Sequence, residues 1–145
     1  MDPANADTNS VHRKALAHFG RELIDSARDW PIRELDRLVD GSAVAPGDRL
    51  THEEIARFGP EVQDLVKKLI PEIVDRTLHY VMFMFQDPAH TGIRISVTTP
   101  DGEIYPDLDA ESDGLAGDLI AWIDVYSKQR SKTFPEGKIK LPTTD

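Results

Sequence analysis

The chain has 145 residues, no cysteine and a formal net charge of −9. This length suits one domain that buries a core without disulfides or metal ions, and the lack of cysteine excludes a disulfide framework, a thiolate zinc site and a thiol nucleophile. The acidic balance argues against a nucleic-acid-binding protein, because such proteins rely on Lys and Arg to meet phosphates.

The charge is unevenly distributed along the chain. Residues 95–127 hold eight acidic residues and no Lys or Arg, whereas residues 128–145 hold five basic and two acidic residues. Such an acidic block can steer a basic partner or collect a cation, and it can equally be an ordinary solvated face.

Two helices are expected in the N-terminal third. Ser10 is a good N-cap, and apolar residues follow it at helical steps to Ala27, so the first helix is expected to end near Asp29. Trp30-Pro31 is expected to interrupt this helix, because the residue before a proline avoids helical geometry. The second helix is expected over 31–40, with Trp30 wedged between the two.

A loop is expected over 41–49, followed by a short helix over 51–58. Pro60 is well placed to open the next helix. Pro71 lies inside that pattern, where it removes a backbone hydrogen bond, so we expect a kink or break there. The central helix is therefore predicted over about 71–86.

The C-terminal half of this central helix is apolar on nearly every side. Apolar residues recur at helical steps at Ile70, Ile73, Val74, Leu78, Val81, Met82 and Phe85. Because Tyr80, Phe83 and Met84 extend the apolar surface around the helix, we expect the core to surround it. The run is too short to cross a bilayer, which needs about 20 apolar residues.

The apolar period changes after the central helix. Alternating apolar residues flank the turn sequence Pro100-Asp101-Gly102, which predicts one short β-hairpin over about 93–105. A last amphipathic helix is expected from Leu119 to an end near Lys128 to Arg130. The predicted fold class is α+β and mostly helical, with four to six helices around the central one.

The predicted organisation is a single globular domain over residues 10–130 between two tails. Residues 1–9 lack a base and an apolar run, so we expect a disordered tail rather than a targeting signal. The absence of cysteine favours a cytoplasmic location. Residues 131–145 are expected to form a C-terminal tail.

The acidic loop offers the best candidate for a metal site. Asp109, Glu111 and Asp113, followed by Gly114, resemble the opening of a calcium-binding EF-hand loop, although the twelfth position is Ile120. Starting at Asp107 instead puts Asp118 twelfth but loses the glycine. The alternative interpretation is that Ser112 or Asp113 caps the last helix.

Other chemistry is less well supported. Asp75 lies one turn before His79, so it can orient the imidazole as a general base, although a core histidine with a satisfied ring nitrogen is the more common explanation. A small-molecule pocket is a further hypothesis, with its walls formed by Met82, Met84, Trp30 and Trp122.

The C-terminal half of the chain carries a resemblance. Its elements are Ser112-Asp113-Gly114-Leu115, Gly117, Leu119, Trp122 and Tyr126-Ser127-Lys128, preceded by Leu78-His79 and the hairpin. This pattern resembles small uncharacterised bacterial proteins and, more loosely, the immunity proteins that bacteria make against toxins. The resemblance implies a bacterial protein and carries over no catalytic residue.

These observations favour a protein-interaction module of the immunity or regulatory type with a basic protein partner. The predicted partner-binding residues are the carboxylates of the hairpin and loop, namely Asp101, Glu103, Asp107, Asp109, Glu111 and Asp113. No nucleic acid or membrane partner is expected, and exposed strand edges make a homodimer conceivable. The alternative is a divalent-cation-binding protein or metal-assisted enzyme that uses the carboxylates of residues 107–118; no other cofactor is expected.

Overall fold

The structure is a computed structural model and describes residues 3–43 and 45–130. The helices in these ranges are α1 (Pro3–Glu22), α2 (Trp30–Val39), α3 (Pro46–Ala56), α4 (Pro60–Phe85), α5 (Pro88–Thr91) and α6 (Leu115–Tyr126). A π-helical segment, Leu23–Asp29, joins α1 to α2, and a 3-10 turn covers Asp109–Glu111.

One antiparallel hairpin accompanies the helices. Strands β1 (Val97–Thr98) and β2 (Ile104–Tyr105) pair with Val97 opposite Tyr105. The predicted α+β, mostly helical fold class, with helices around a central helix and one short hairpin, is confirmed. The central helix is longer than expected and the paired strands are shorter.

The helical chain continues through Trp30-Pro31, so the expected interruption there is wrong. Trp30 has helical dihedral angles, and its N–H donates to the Asp25 carbonyl five residues earlier. A π-helical turn is wider than an α-helical one. The wider turn gives the Pro31 ring room that a regular α-helix would deny it.

Trp30 also lies differently from the expectation. Its side chain is 56% exposed, with the Arg33 guanidinium 4.9 Å from its ring centroid. Trp30 therefore covers the outside of the helix and is not a wedge between two helices.

α4 continues through Pro71 as one helix of 26 residues. The proline has no N–H, so the Lys67 carbonyl four residues earlier has no backbone donor within the helix. Arg130 supplies the missing donor, with Nη2 2.5 Å from the Lys67 oxygen. This contact explains how α4 tolerates a buried proline in its interior.

The main core lies between α1, α4, α6 and the hairpin. Its large side chains are Ile24, Leu78, Met82, Leu108, Leu115, Leu119 and Trp122. Val97 and Tyr105 point into it from the two strands, which holds the hairpin against the helices. Each fully buried large side chain contributes about 1.5–3 kcal/mol. A smaller cluster between α2 and α4 contains Ile32, Val39 and Ile70.

Only one side of α4 faces these clusters, although the sequence predicts that the core surrounds the C-terminal half of the helix. Ile73 and Tyr80 are 61% and 68% exposed, and Phe83 and Met84 are exposed as well. Of the residues that recur at helical steps, Ile70, Leu78 and Met82 are buried as expected, whereas Ile73 lies on the outer face. The additional apolar residues lie on the outer face.

The predicted division into tails and domain stays a prediction. α1 begins at Pro3 and not at the expected cap Ser10. The predicted C-terminal tail lies outside the described residues.

Candidate functional site

The most buried charged residue of the described chain is Arg28, in the π-helical segment. Its guanidinium donates to both carboxylate oxygens of Asp75, at 2.6 and 3.1 Å, and to Asp29 at 2.9 Å. It also donates to the Ser127 hydroxyl at 2.6 Å and the Arg130 carbonyl at 3.1 Å. All five N–H donors of the side chain are therefore engaged.

Asp29 ties the end of α6 to the same cluster. One carboxylate oxygen accepts from Arg28 and from the Ser127 hydroxyl, at 2.9 and 2.8 Å. The other accepts from the Lys128 backbone N–H at 2.6 Å. Because buried charges are tolerated when they are paired and hydrogen-bonded, this cluster is a stable polar centre that fastens residues 127–130 across the fold.

Arg130 extends the fastening to α2. Besides its contact with Lys67, its guanidinium makes a bidentate pair with Asp36, at 2.5 and 2.6 Å. The hydrogen bond to Asp36 raises the pKa of Arg130, so the side chain stays charged.

One feature of the sequence points to this cluster, namely a charged residue at a position that helical periodicity assigns to the buried side. Arg28 lies four residues after Ile24, so it continues the apolar stripe of the first helix. A charged residue on a buried stripe needs a partner, and Asp29 follows it directly. Asp75 and Ser127 are 47 and 99 residues away from Arg28, and no local pattern joins them.

A groove of about 450 Å³ lies between α4 and α6, in front of this cluster. Leu119, Ile120 and Ile123 form its apolar side. Its polar side consists of Glu72, Asp75, Arg76 and His79. The Asp75 carboxylate thus borders the groove while both of its oxygens accept hydrogen bonds from Arg28.

In this geometry the two Asp75 oxygens accept hydrogen bonds from Arg28. The His79 ring makes edge contacts with Phe83 and Tyr80, with centroids 4.8 and 6.0 Å away. The groove therefore offers a mixed polar and apolar surface.

The hypothetical small-molecule pocket between two methionines and two tryptophans does not form. Met82 and Trp122 are packed in the core, whereas Met84 and Trp30 are exposed. The Trp122 ring is in edge contact with Phe19, with centroids 5.7 Å apart.

The hairpin places two of the predicted partner-binding carboxylates, Asp101 and Glu103, in exposed positions. A hydrogen bond from the Thr99 hydroxyl lowers the pKa of Asp101, and Lys14 lies 4.0 Å away. Glu103 accepts a hydrogen bond of 2.8 Å from the Tyr105 hydroxyl. Burial and then this contact raise the pKa of Tyr105 to about 12.

The loop places Asp107 and Asp109 close together. Burial and the charge of Asp107 raise the pKa of Asp109. Asp107 pairs with Arg94 at 2.6 Å. The remaining two predicted residues are Glu111, which is half-buried, and Asp113, which is exposed.

The alternative interpretation, in which Ser112 or Asp113 caps the last helix, is met only in part at the start of α6. Gly114 is the N-cap and has φ 145°, a backbone conformation that favours glycine. Its N–H donates to the Ser112 hydroxyl at 2.8 Å, and that hydroxyl donates to Asp118 at 2.5 Å. Asp118 is thus held in the first turn of α6, where a carboxylate suits the helix dipole.

No group of three or more His, Asp or Glu side chains in residues 3–43 and 45–130 is arranged to hold a metal ion. The predicted metal ligands Asp109, Glu111 and Asp113 therefore gain no support from the geometry, and that site stays a prediction.

Among the helices that the structure describes, none is both long and apolar enough to cross a membrane.

No known protein family, curated protein or solved structure matches the chain.

Proposed function

We propose that the protein is an interaction module whose hairpin and acidic loop receive a basic partner protein. The observation that carries this proposal is Ile104, an apolar side chain that is 68% exposed on the hairpin. Strand alternation turns it away from the core while its neighbour Tyr105 is buried. Exposed carboxylates at Asp101 and Glu103 precede it.

An exposed apolar side chain with charged residues beside it has the composition of a protein interface. In such interfaces apolar anchors supply affinity and a polar rim supplies orientation. The charge of the partner follows from the acidic block. Residues 95–127 contain eight carboxylates and no Lys or Arg, and Asp101, Glu103 and Asp113 are exposed, so a basic surface would complement this part of the chain. The resemblance to immunity proteins agrees with an inhibitor or regulator of a basic protein.

The experiment selects random displayed peptides on the immobilised full chain. The proposal predicts that selected peptides combine Lys or Arg with an apolar residue. Their affinity should fall about tenfold between about 50 and 300 mM NaCl, because salt screens exposed charge pairs. The triple variant Ile104→Ser/Asp101→Asn/Glu103→Gln should lose the peptides.

A matched variant controls for loss of charge and apolar surface in general. Leu50→Ser/Glu53→Gln/Glu54→Gln removes one exposed apolar residue and two exposed carboxylates from α3. It should bind the peptides like the wild type. The proposal would be contradicted if the selected peptides lacked basic residues. It would also be contradicted if the triple variant with Ile104→Ser bound the peptides as tightly as the wild type does.

A further inference from the structure

The outer face of α4 is apolar and exposed over most of the helix. Five large apolar residues on it are between 38% and 68% exposed, and these are Leu65, Leu69, Ile73, Tyr80 and Phe83. At about 100° per residue they point in one direction, opposite to Leu78 and Met82 in the core. A contiguous exposed apolar face of this kind is typical of a protein-binding surface.

The centre of this face carries one ion pair. Glu72 and Arg76 lie one helical turn apart, with their charged atoms at 3.1 Å and their side chains 44% and 68% exposed. These two residues also line a shallow groove together with Leu69, Ile73, Thr77 and Tyr80. The face therefore has apolar ends and a balanced pair of opposite charges in its middle.

We propose that a second copy of this chain docks on this face, with the two α4 helices antiparallel across a twofold axis between residues 74 and 75. In this register Leu65 faces Met84 of the second copy, and Leu69 faces its Tyr80. Ile73 faces the aliphatic part of Arg76. A twofold interface must be self-complementary, and this helix face meets that condition along its length.

Charge complementarity supports the antiparallel orientation. The register brings Glu72 beside Arg76 of the second copy, so each carboxylate has one guanidinium on its own helix and another across the axis. A parallel pair in register would instead place Glu72 against Glu72 and Arg76 against Arg76, which is repulsive.

The size of the face sets the expected affinity. Residues 65–84 extend over about 29 Å of helix. Two such faces bury on the order of 800 Å² in total, which is below the usual size of a stable interface. We therefore expect a reversible dimer with a Kd of about 1–100 µM.

The helix face is better suited to self-association than the hairpin edge. Each strand has two residues, and such short edges offer few backbone groups to an added strand. The acidic hairpin and loop, residues 101–113, are not part of this α4 face and do not enter the inference. The dimer proposal therefore stands if the basic-partner proposal fails, and the basic-partner proposal stands if the dimer fails.

Sedimentation velocity of the full chain from about 1 µM to 1 mM tests the dimer. The wild type should move from monomer to dimer across this range. Ile73→Glu/Tyr80→Glu should stay monomeric throughout with unchanged circular dichroism, because both side chains are exposed in the monomer. Ile104→Glu is the control on the hairpin and should dimerise like the wild type.

Two results of this experiment would overturn the proposal. One is a wild type that stays monomeric at the highest concentration. The other is a dimer that Ile104→Glu abolishes and the α4 variant retains, which would place the contact at the hairpin.

Cysteine cross-linking tests the orientation, since the chain has no cysteine of its own. Leu69→Cys and Tyr80→Cys proteins should each give little cross-linked dimer alone under mild oxidation. An equal mixture should give a disulfide-linked heterodimer, because residue 69 faces residue 80 in the antiparallel register. Efficient cross-linking of Leu69→Cys alone, without a gain in the mixture, would contradict the antiparallel arrangement.

Discussion

Arg130 occupies the hydrogen-bonding position that Pro71 leaves open in α4. The Lys67 carbonyl, which a backbone N–H at position 71 would otherwise meet, accepts from the Arg130 guanidinium at 2.5 Å. A residue that follows α6 thus completes the central helix. Local sequence rules predict a kink at Pro71 because they do not include this distant donor.

The first prediction concerns the coupling of these two residues. Arg130→Ala should destabilise the wild type, since it leaves the Lys67 carbonyl without a donor. In a Pro71→Ala background the new N–H restores the helical bond, so the cost of Arg130→Ala should fall by about 1 kcal/mol. Chemical denaturation of the wild type, the two single variants and the double variant forms a double-mutant cycle that measures this coupling free energy.

Asp36→Ala serves as the control for this cycle, because it removes the carboxylate partner of Arg130 and leaves the Lys67 contact in place. Its cost should be the same in both backgrounds. An unchanged cost of Arg130→Ala on the Pro71→Ala background would show that the guanidinium does not substitute for the missing donor.

The second prediction concerns the buried pair Arg28–Asp75. Asp75→Leu should cost about 3–5 kcal/mol, because it leaves the guanidinium buried without its main partner. Adding Arg28→Met should recover part of that loss, since an apolar side chain of similar length needs no carboxylate. Urea denaturation midpoints check both values, and a double variant less stable than Asp75→Leu would contradict the explanation.

The third prediction concerns the close packing of α1 on α6. A Cβ added at Gly20 would lie 2.5 Å from the Trp122 ring, which is itself buried. Gly20→Ala should therefore destabilise by about 1–3 kcal/mol, although the same change in an open helix stabilises. Gly117→Ala in α6 is the matched control, since nothing lies within 4 Å of its added Cβ.

Thermal unfolding compares these two glycine variants. We expect a lower midpoint for Gly20→Ala and a higher one for Gly117→Ala, which should gain up to about 1 kcal/mol. Equal stabilisation of both would mean that Trp122 does not pack on Gly20.

The fourth prediction concerns the pH dependence of Tyr105. Its pKa is about 12 in the folded chain against an ordinary value of 10.0. As pH rises, the unfolded chain therefore releases the Tyr105 proton at a lower pH than the folded chain does. The contribution of Tyr105 to the free energy of unfolding is complete below pH 10 and is lost as pH rises toward 12. Absorbance at alkaline pH should show a late tyrosine step from Tyr105.

Tyr105→Phe should remove this late step from the titration. Tyr80→Phe should leave it in place, because Tyr80 is 68% exposed. Glu103→Gln should move the step toward lower pH, because the Glu103 charge and hydrogen bond raise the Tyr105 pKa after burial does. A late step that persists in Tyr105→Phe would show that another tyrosine is the shielded one.

The fold class could be predicted from sequence because periodicity is local. The alternation around Val97 and the turn at Gly102 predict the hairpin. The helical steps at Ile70, Leu78 and Met82 predict the inner face of α4, although the same pattern wrongly includes Ile73. The continuous passage through Pro31 could not be predicted, since it depends on a π-helical turn that no sequence pattern marks.

The candidate site was less accessible from sequence than the fold. The carboxylates of residues 101–113 are visible as an acidic block, but their individual hydrogen bonds with Thr99, Tyr105 and Arg94 depend on tertiary contacts. The Arg28 cluster could not be predicted because, apart from the adjacent Asp29, its partners come from two distant segments, α4 and residues 127–130.

A heteronuclear NMR titration of the isotope-labelled chain with a selected basic peptide tests the interaction account most directly. The account predicts that the largest amide shifts fall at residues 98–113 and disappear in the Ile104→Ser/Asp101→Asn/Glu103→Gln variant. Shifts centred instead on the α4–α6 groove, at Glu72, His79 and Ile120, would contradict it and move the binding site away from the acidic hairpin.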